Sequence, residues 1–383
     1  MKLAYVTPYD ARSLKGANIW SGTGYFIAKS LERQAFSLKY FGPLKDRLMC
    51  RLTQKYKRHY HEFFNKKYLK NPTPCTLKSY ASQINSKLLK TKADLVFSAS
   101  ANPIAYLDCR QPIVFWADAS FDSLLDFYPS YSNLCQETIR DWRRVEQQAH
   151  QKCQLAIYSS DWAAKAAIKH YGVNKDKVKV VPFGANITTE YSLYDVKDWI
   201  ESRPTSLCKL LFLGVEWYRK GGDVALKVAT DLNKAGLNTE LTIVGCQPIT
   251  EEPLPSFVKS LGFISKSTDQ GKARISQLIA ESHFLLIPSL ADCTPIVLCE
   301  ANSLGAPCLT TNVGGIPTII KDDLNGKTFN ITANPLEYCN YILNLFTHYS
   351  DYKNLALSSF NEYQSRLNWT VAGKTVKNLL SEI

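Results

Sequence analysis

Two acidic residues, Asp292 and Glu300, flank a predicted junction between a loop and a helix. Residues 284–288 form an apolar run typical of a strand, 289–294 a loop, and 295–304 a helical pattern with proline at its start and glycine just after it. The first amides of a helix have no intrahelical partner, and its N-terminus carries partial positive charge. The junction therefore predicts a phosphate site, with Glu300 in reach of a ribose hydroxyl.

A second anion site is predicted after the strand at 210–213. Lys220 is followed by Gly221 and Gly222, and a helical pattern begins at residue 223. Glycines allow the backbone to approach a phosphate, and the ammonium group neutralises its charge. Arg219 supplies a second cation beside Lys220. Such groups can neutralise the charge of a phosphate by electrostatics alone, so we expect no metal here.

Two features of the first half could also contact a ligand. Gly22 and Gly24 lie between a strand and the helical pattern at 25–33, where phosphate or sugar could rest on the backbone, although an ordinary turn has the same composition. Asp118 follows the predicted strand at 113–116. Its carboxylate could orient a hydroxyl group of a ligand, or it could cap the next helix.

The order of elements predicts an α/β protein of two wound halves. At 383 residues the chain exceeds the usual size of a single core, so two domains are expected. Short apolar runs alternate with amphipathic stretches, which is typical of parallel sheets. The runs lie at 3–7, 95–98, 113–116, 155–159 and 178–182, then at 210–213, 241–244, 284–288 and 308–311. The charged segment 194–206 is the predicted linker.

The segment around Asp292 resembles the donor-site motif of the retaining family 4 glycosyltransferases. That motif has two glutamates separated by seven residues, within a pattern like PSxxEGFGxxxxEAxAxGxPV, and this chain reads PSLADCTPIVLCEANSLGAPCL. The resemblance implies that Glu300 holds the nucleotide ribose and that Asp292 lies against the donor sugar. Thr294 and Ile296 take positions whose backbone contacts sugar and diphosphate, whereas Pro295 has no N–H to donate.

The same resemblance assigns further positions. It implies that Lys220, with Arg219 beside it, binds the donor diphosphate, while Val215 stands where the family has arginine. Asp118 stands near the place of a histidine close to the donor sugar. The remaining positions implied to contact the donor are the glycine-rich loop at Gly22 and Gly24 and the turn that reads the base, Phe263 and Ile264.

The resemblance also implies a fold and an activity. The fold is GT-B: two Rossmann-like domains, residues 1–195 and 206–366, with a last helix at 367–383 crossing back to the first. The activity is transfer of a sugar from a nucleoside-diphosphate sugar to a glycan or lipid-linked acceptor, with retention and without metal or cofactor. Departures at Asp118, Val215 and Asp292 motivate an alternative, a catalytically weak scaffold that binds nucleotide sugars.

Positive charge is concentrated in one segment. The net charge is +12, and residues 45–92 carry many lysines and arginines with interleaved tyrosines and phenylalanines. This pattern suits the interface of an anionic membrane, and a solvated helix face is the ordinary alternative. Nucleic-acid phosphates would also attract such charge. No recognition motif accompanies it, so no nucleic-acid partner is expected.

The cysteine pattern and the lengths of the apolar runs predict where in the cell the protein is located. The 11 cysteines show no CxxC pair and no zinc-type spacing, so we expect free or buried thiols in a reducing cytosol and no metal site. No apolar run is long enough to span a bilayer, and the N-terminus lacks the pattern of a signal peptide. We therefore expect a cytoplasmic protein, peripheral on the inner face of the membrane if the basic segment binds lipid.

Overall fold

The computed structural model describes residues 1–14, 20–70, 73–187 and 191–383. The chain forms two units, each built around its own sheet and its own hydrophobic core. Unit 1 comprises Met1–Pro182 and Ala372–Ile383, and unit 2 comprises Phe183–Val371. Two parallel sheets with helices confirm the predicted α/β class.

Unit 1 contains a six-stranded parallel sheet in the order β2-β1-β3-β4-β5-β6. Its central strands are buried along their whole length, which explains their continuous apolar sequences. The edge strand β2 escaped prediction because its residues alternate between exposed and half-buried. The strands are β1 Lys2–Val6, β2 Ser37–Tyr40, β3 Leu95–Ser98, β4 Ile113–Ala117, β5 Leu155–Tyr158 and β6 Val178–Val180.

Helices connect these strands, and two of them, α2 and α3, fill the long stretch between β2 and β3. Helix α3 has proline at its start, and the Thr73 side chain accepts a hydrogen bond from the Thr76 amide. The helices of unit 1 are α1 Thr23–Arg33, α2 Leu48–Phe63, α3 Pro74–Leu88, α4 Phe121–Leu124, α5 Gln136–Lys152 and α6 Asp161–Tyr171.

Unit 2 contains a second six-stranded parallel sheet, in the order β12-β11-β10-β7-β8-β9. The chain runs outward in one direction from β7 and in the other from β10. In open α/β sheets, ligands bind outside the carboxyl ends of the strands where the order reverses, which here lies between β7 and β10. The strands are β7 Cys208–Leu213, β8 Thr239–Val244, β9 Val258–Ser260, β10 Phe284–Ile287, β11 Cys308–Thr311 and β12 Gly326–Phe329.

Eight further helices are described in the rest of the chain. The last of them, α14, starts in unit 2, and its residues from Ala372 onward belong to unit 1, as the predicted crossing helix requires. These helices are α7 Leu193–Ser202, α8 Gly222–Lys234, α9 Asp269–Glu281, α10 Ile296–Asn302, α11 Ile316–Ile319, α12 Pro335–Thr347, α13 Tyr349–Arg366 and α14 Trp369–Leu380.

The segment predicted as a linker, 194–206, is instead part of unit 2. Helix α7 occupies most of it, and Val196 and Ile200 are buried in the core of that unit. Arg203 is 3% exposed and donates hydrogen bonds to the carbonyls of Ala280, Leu304 and Gly305. The other charged residues that suggested a linker, among them Lys197, Asp198 and Glu201, are exposed on an amphipathic helix. The division between the units falls earlier, between Pro182 and Phe183.

Two cysteines overturn the expectation that every thiol is free. Cys50 in α2 and Cys75 in α3 form a disulfide with a Cα–Cα distance of 5.8 Å. The nine other cysteines are free, and most are buried. Sequence spacing gave no sign of the pair because only the packing of α2 against α3 brings the two residues together. Within the described ranges, no helix is both long and apolar enough to cross a membrane.

Candidate functional site

Two loops meet at the switch point of the sheet in unit 2. One follows β7 and leads to α8, and the other follows β10 and leads to α10. The Leu290 amide donates a 2.8 Å hydrogen bond to the Arg219 carbonyl. Gly221 has φ +75°, and a Cβ there would lie 2.1 Å from the Pro288 carbonyl oxygen. Only glycine permits this approach, so the glycine after Lys220 fixes the two loops together.

The close approach of the two loops brings Lys220 and Asp292 into contact. The Lys220 Nζ contacts the Asp292 carboxylate, and the two side chains are 12% and 10% exposed. Lys220 immediately precedes Gly221, the N-cap of α8, which provides no side-chain cap. The Gly222 amide donates a 2.8 Å hydrogen bond to the Trp217 carbonyl, so the Asp223 and Val224 amides are the ones that this 13-residue helix can offer to an anion next to the Lys220 ammonium. The predicted phosphate ligand and the predicted sugar ligand thus share one site.

Arg219 donates hydrogen bonds to both loops of the site. Its Nη1 donates a 2.8 Å hydrogen bond to the Ala291 carbonyl, and its Nη2 donates a 2.6 Å bond to the Glu216 carboxylate. The latter bond lowers the pKa of Glu216. The guanidinium group is thus engaged with the loop that carries Asp292. Val215, at the position of the family arginine, is 60% exposed.

Helix α10 is shorter than predicted, with seven residues from Ile296 to Asn302. Pro295 is its N-cap, and the Thr294 hydroxyl donates a 2.8 Å bond to the Cys293 carbonyl. A helix of two turns has a weaker terminal charge than the longer α8, so α8 is the better candidate for the predicted phosphate site. The Glu300 carboxylate, on the second turn of α10, is only 2% exposed.

Glu300 lines a cavity of about 210 Å³. Its carboxylate forms an ion pair with Lys266, a residue that the sequence analysis missed. Asp269 and Lys272, from the first turn of α9, line the same cavity. The volume suits a sugar ring rather than a whole nucleotide. Lys266 gave no signal in sequence because its loop carries no motif that marks it.

Phe263 and Ile264 follow β9 in the loop that precedes α9. Phe263 is 72% exposed, so its ring is not part of the core. Ile264 is partly buried against the core of unit 2. Neither residue lines the cavity at Glu300. An exposed aromatic ring at this edge is available for stacking on a base.

The glycine-rich loop of unit 1 opens α1 as predicted. Gly22 is the N-cap of that helix, with φ +78°, and Gly24 is buried in its first turn. A Cβ on Gly24 would lie 2.4 Å from the Tyr9 hydroxyl oxygen, so this position also requires glycine. The Gly24 carbonyl accepts a 2.6 Å hydrogen bond from the Tyr5 hydroxyl. The turn therefore serves the packing of α1 against β1.

Asp118 lies at the carboxyl end of β4, where its carboxylate accepts a 2.6 Å hydrogen bond from the Trp20 indole N–H. Ser120 is the N-cap of α4, so the capping alternative for Asp118 is excluded. The Tyr9 hydroxyl is buried and has no hydrogen-bond partner among the described residues. Burial, followed by the nearby Asp118 charge, raises the pKa of Tyr9. Tyr9 and Trp20 were not predicted, because a lone aromatic in a loop has many uses.

The chain matches two family models. Residues 208–348 match the model described as "Glycosyl transferases group 1", and residues 25–189 match the model described as "Glycosyltransferase Family 4". The chain belongs to the family 4-like glycosyltransferases. The first of these matches includes Lys220, Asp292 and Glu300, so the site at the switch point lies within the residues that match a glycosyltransferase family model. The predicted family is confirmed.

Similar proteins include a D-inositol 3-phosphate glycosyltransferase from Nocardiopsis dassonvillei, 24% identical over 250 residues, which are 62% of this chain and 57% of the relative. The lipopolysaccharide glucosyltransferase WaaG from Escherichia coli is 29% identical over 166 residues, 40% of this chain and 42% of the relative. The chain thus spans about half the length of the curated relatives it matches.

The structure of Anabaena HepE in complex with UDP and glucose has a TM-score of 0.65 and 17% identity, and the match covers 100% of both chains. Sucrose-phosphate synthase from Thermosynechococcus elongatus has a TM-score of 0.67 and 13% identity, over 100% of this chain and 98% of the other. At these identities the likeness shows the fold, and the predicted GT-B architecture is confirmed. Among the described residues, no group of three or more His, Cys, Asp or Glu side chains is placed to hold a metal ion.

Proposed function

We propose that this glycosyltransferase moves a sugar from a nucleoside-diphosphate sugar to a glycan or lipid-linked acceptor, with retention of anomeric configuration. The observation that supports this most is the contact between Lys220 and Asp292 beside the uncapped N-terminus of α8. A cation, the Asp223 and Val224 amides of the first turn of α8 and a carboxylate lie at one switch point, and these groups suit a diphosphate attached to a sugar.

We expect the donor diphosphate and the Asp292 carboxylate to compete for the Lys220 ammonium. A diphosphate at the N-terminus of α8 would draw the Lys220 ammonium from Asp292. The released carboxylate could then accept hydrogen bonds from sugar hydroxyls, as the family resemblance assigns. Glu300 would bind the ribose hydroxyls in exchange for its ion pair with Lys266. Each acid is thus held by a lysine in the unliganded site and takes a hydroxyl donor when the nucleotide enters.

Electrostatics would support the chemical step. As the bond between the anomeric carbon and the phosphate oxygen breaks, its electron pair leaves with the nucleoside diphosphate. Lys220 and the first amides of α8 stabilise that negative charge, and a donor of this kind commonly contributes a few kcal/mol. Retention without a covalent enzyme intermediate requires the acceptor hydroxyl to approach from the face of the leaving group, where its oxygen bonds to the anomeric carbon and its proton passes to the departing diphosphate. We propose that these groups, rather than a metal ion, neutralise the diphosphate.

The donor and acceptor classes follow from the relatives. HepE was solved with UDP and glucose, and WaaG is named a glucosyltransferase of lipopolysaccharide. UDP-glucose is therefore the first donor to test, and lipid-linked or phosphorylated glycans are the first acceptors. In unit 1, Asp118, Trp20 and the buried Tyr9 hydroxyl provide polar groups for an acceptor or for the donor sugar. A cytoplasmic location remains part of this proposal.

Nucleotide release from a panel of UDP-, GDP- and ADP-sugars tests the proposal. The native chain is compared with Lys220→Ala and Glu300→Ala in the presence of membrane extract. Lys234→Ala, at the exposed far end of the same helix as the anion site, is the matched control. We expect release from one donor, lost in both site variants and kept in the control. Nucleotide binding without release from any donor would favour the scaffold alternative.

A chelator tests the part of the proposal that concerns metal. Transfer should be unchanged after treatment with EDTA and unchanged by added Mg²⁺ or Mn²⁺, because Lys220 and α8 carry the neutralising charge. Activity that disappears with EDTA and returns with one of these ions would contradict metal independence while leaving the transferase assignment intact.

A further inference from the structure

Helix α2 of unit 1 is attached along one narrow side. Of its 16 residues only Cys50 and Gln54 are buried. Cys50 is bonded to Cys75, and the Gln54 amide donates to the Thr73 and Thr76 hydroxyls at 3.0 and 2.7 Å. Two further side chains on this face, Lys57 and His61, contact the Glu137 carboxylate. The spacing of the attached residues places them on a single face of the helix.

The opposite face of α2 presents large apolar side chains to solvent. At intervals of four or three residues the row runs from Leu48 through Leu52, Tyr56 and Tyr60 to Phe63. These residues are 70%, 53%, 72%, 52% and 82% exposed. Met49 and Phe64 extend the row and are 71% and 56% exposed. Single exposed apolar residues are ordinary, but a contiguous row of this length marks an interaction surface.

A basic row runs beside the apolar row. Arg47, Arg51, Lys55 and Arg58 are all exposed and occupy one flank of the helix. Arg58 pairs with Glu62, the single acidic residue of α2. The charge therefore lies along one long edge of the apolar row rather than in its middle. An amphipathic helix lying in the headgroup region of a bilayer has this arrangement, with its apolar face in the acyl boundary and its cations among anionic headgroups.

We propose that α2 docks this glycosyltransferase on a lipid bilayer that contains anionic phospholipid. The apolar row, defined by Leu48, Leu52, Tyr56, Tyr60 and Phe63, enters the interface, and the basic row contacts lipid phosphates. The disulfide and the Gln54 bonds hold the helix to unit 1 while leaving that row exposed. This inference does not require catalysis, so lipid binding can be measured whether or not a sugar is transferred.

Charge complementarity selects an anionic bilayer over the other occupants of an apolar face. A second copy of this chain would bring an equally basic row to the interface and would be repelled along it. Nucleic acid would attract the arginines and lysines but would leave the leucines, methionine and phenylalanines without a partner. A bilayer supplies apolar interior and negative charge side by side, in the same order as the two rows.

Co-sedimentation with vesicles tests the proposal on the full chain. The vesicles are phosphatidylcholine alone, and phosphatidylcholine mixed with phosphatidylglycerol, each at low and high salt. One variant, Leu52→Ser/Tyr56→Ser/Phe63→Ser, removes the centre of the apolar row, and another, Arg51→Gln/Lys55→Gln, removes basic charge. Controls are Tyr194→Ser, at an exposed tyrosine of unit 2, and Lys374→Gln/Lys377→Gln, at exposed lysines of α14. Thermal unfolding of each variant confirms that it is folded.

We expect binding to the mixed vesicles that weakens with salt and falls at least about tenfold in the apolar variant. The charge variant should lose the preference for mixed over neutral vesicles, and both controls should bind as the native chain does. The proposal is overturned if the native chain does not bind mixed vesicles at low salt, or if the apolar variant binds them unchanged. It is also overturned if the native chain is a dimer without lipid that the apolar variant dissociates, or if duplex DNA or RNA binds through the basic row in preference to vesicles.

Discussion

Lys220 and Asp292 lie 72 positions apart in the chain and form an ion pair at the switch point of the unit 2 sheet. The pair depends on Gly221, whose left-handed backbone lets the loop after β7 pass against Pro288. Its lysine stands at the start of α8, and its acid comes from the loop after β10. The Lys220 ammonium, which is proposed to bind phosphate, is thus paired with the Asp292 carboxylate, which is proposed to bind the sugar.

Removing the charge of Asp292 should separate nucleotide binding from transfer. In Asp292→Asn, Lys220 no longer has to break an ion pair before it binds phosphate. A nucleoside diphosphate should therefore bind severalfold more tightly. Sugar transfer should fall at least about tenfold, because the amide is a weaker acceptor for sugar hydroxyls. Calorimetry and turnover with one donor measure the two effects. Asp198→Asn, on the exposed face of α7, should change neither.

Gly221 should tolerate no side chain. Gly221→Ala combines a backbone at φ +75° with a Cβ 2.1 Å from the Pro288 oxygen, so we expect a loss of roughly 2–4 kcal/mol in the free energy of unfolding. Gly236→Ala is the matched control, since φ is +91° and no atom lies within 4 Å of the added Cβ. Gly236→Ala should lower the free energy of unfolding by only about 1 kcal/mol, because alanine is less favourable than glycine in a left-handed backbone conformation. Urea unfolding compares them, and equal losses would contradict the close approach.

A buried acid in unit 1 should make stability depend on pH. Burial, and then the nearby Asp122 charge, raises the pKa of Glu146 to about 8 from its ordinary 4.5. The folded protein therefore keeps this proton while the unfolded chain loses it. The stabilising contribution is fully present below about pH 4.5 and is lost as the pH rises through about 8.

Glu146→Gln removes this dependence because the amide does not titrate. Relative to the native chain, the variant should gain on the order of 3 kcal/mol of unfolding free energy between pH 5 and pH 8. His150 acts in the opposite sense, because burial lowers its pKa to about 4, and its contribution is lost as the pH falls from about 6.5 through 4. His150 Nε2 lies 3.9 Å from the Glu146 carboxylate, so the two groups are coupled, and only the part of the profile above about pH 6.5 reports Glu146 alone. Parallel pH profiles would show that Glu146 is not buried as described.

The disulfide between Cys50 and Cys75 determines how many thiols should react before and after reduction. Protein purified without reductant and unfolded in denaturant should expose nine reactive thiols, and the same protein after reduction should expose eleven. Titration with a chromogenic disulfide reagent gives both numbers. In Cys75→Ser the count without reductant should rise to ten, because Cys50 loses its partner. Eleven thiols without reductant would mean that the cysteines of α2 and α3 remain reduced in the purified protein, as the cytosolic prediction required.

The sequence predicted the central strands, since a buried parallel strand has a continuous apolar pattern, whereas the roles of the donor-motif residues stay predictions. Contacts created by long-range packing could not be predicted. Arg219 stays a predicted phosphate ligand, but nothing in the sequence indicated its bond to the Ala291 carbonyl, 72 residues away. Most of α7 was predicted as a linker because charged residues dominate its sequence. Only the structure shows that Val196 and Ile200 pack in the core of unit 2. Lys266 and Tyr9 gain their roles only from the groups that surround them.

The central claim is that Lys220 and α8 bind a nucleoside diphosphate, and calorimetric titration with UDP, GDP and ADP tests it most directly. Native protein is compared with Lys220→Met and with Lys234→Met on the exposed end of the same helix. We predict that one nucleotide binds the native chain, that Lys220→Met weakens its binding at least about tenfold, and that Lys234→Met leaves it unchanged. Absence of binding by all three nucleotides, or equal affinities for the native chain and both variants, would contradict the account.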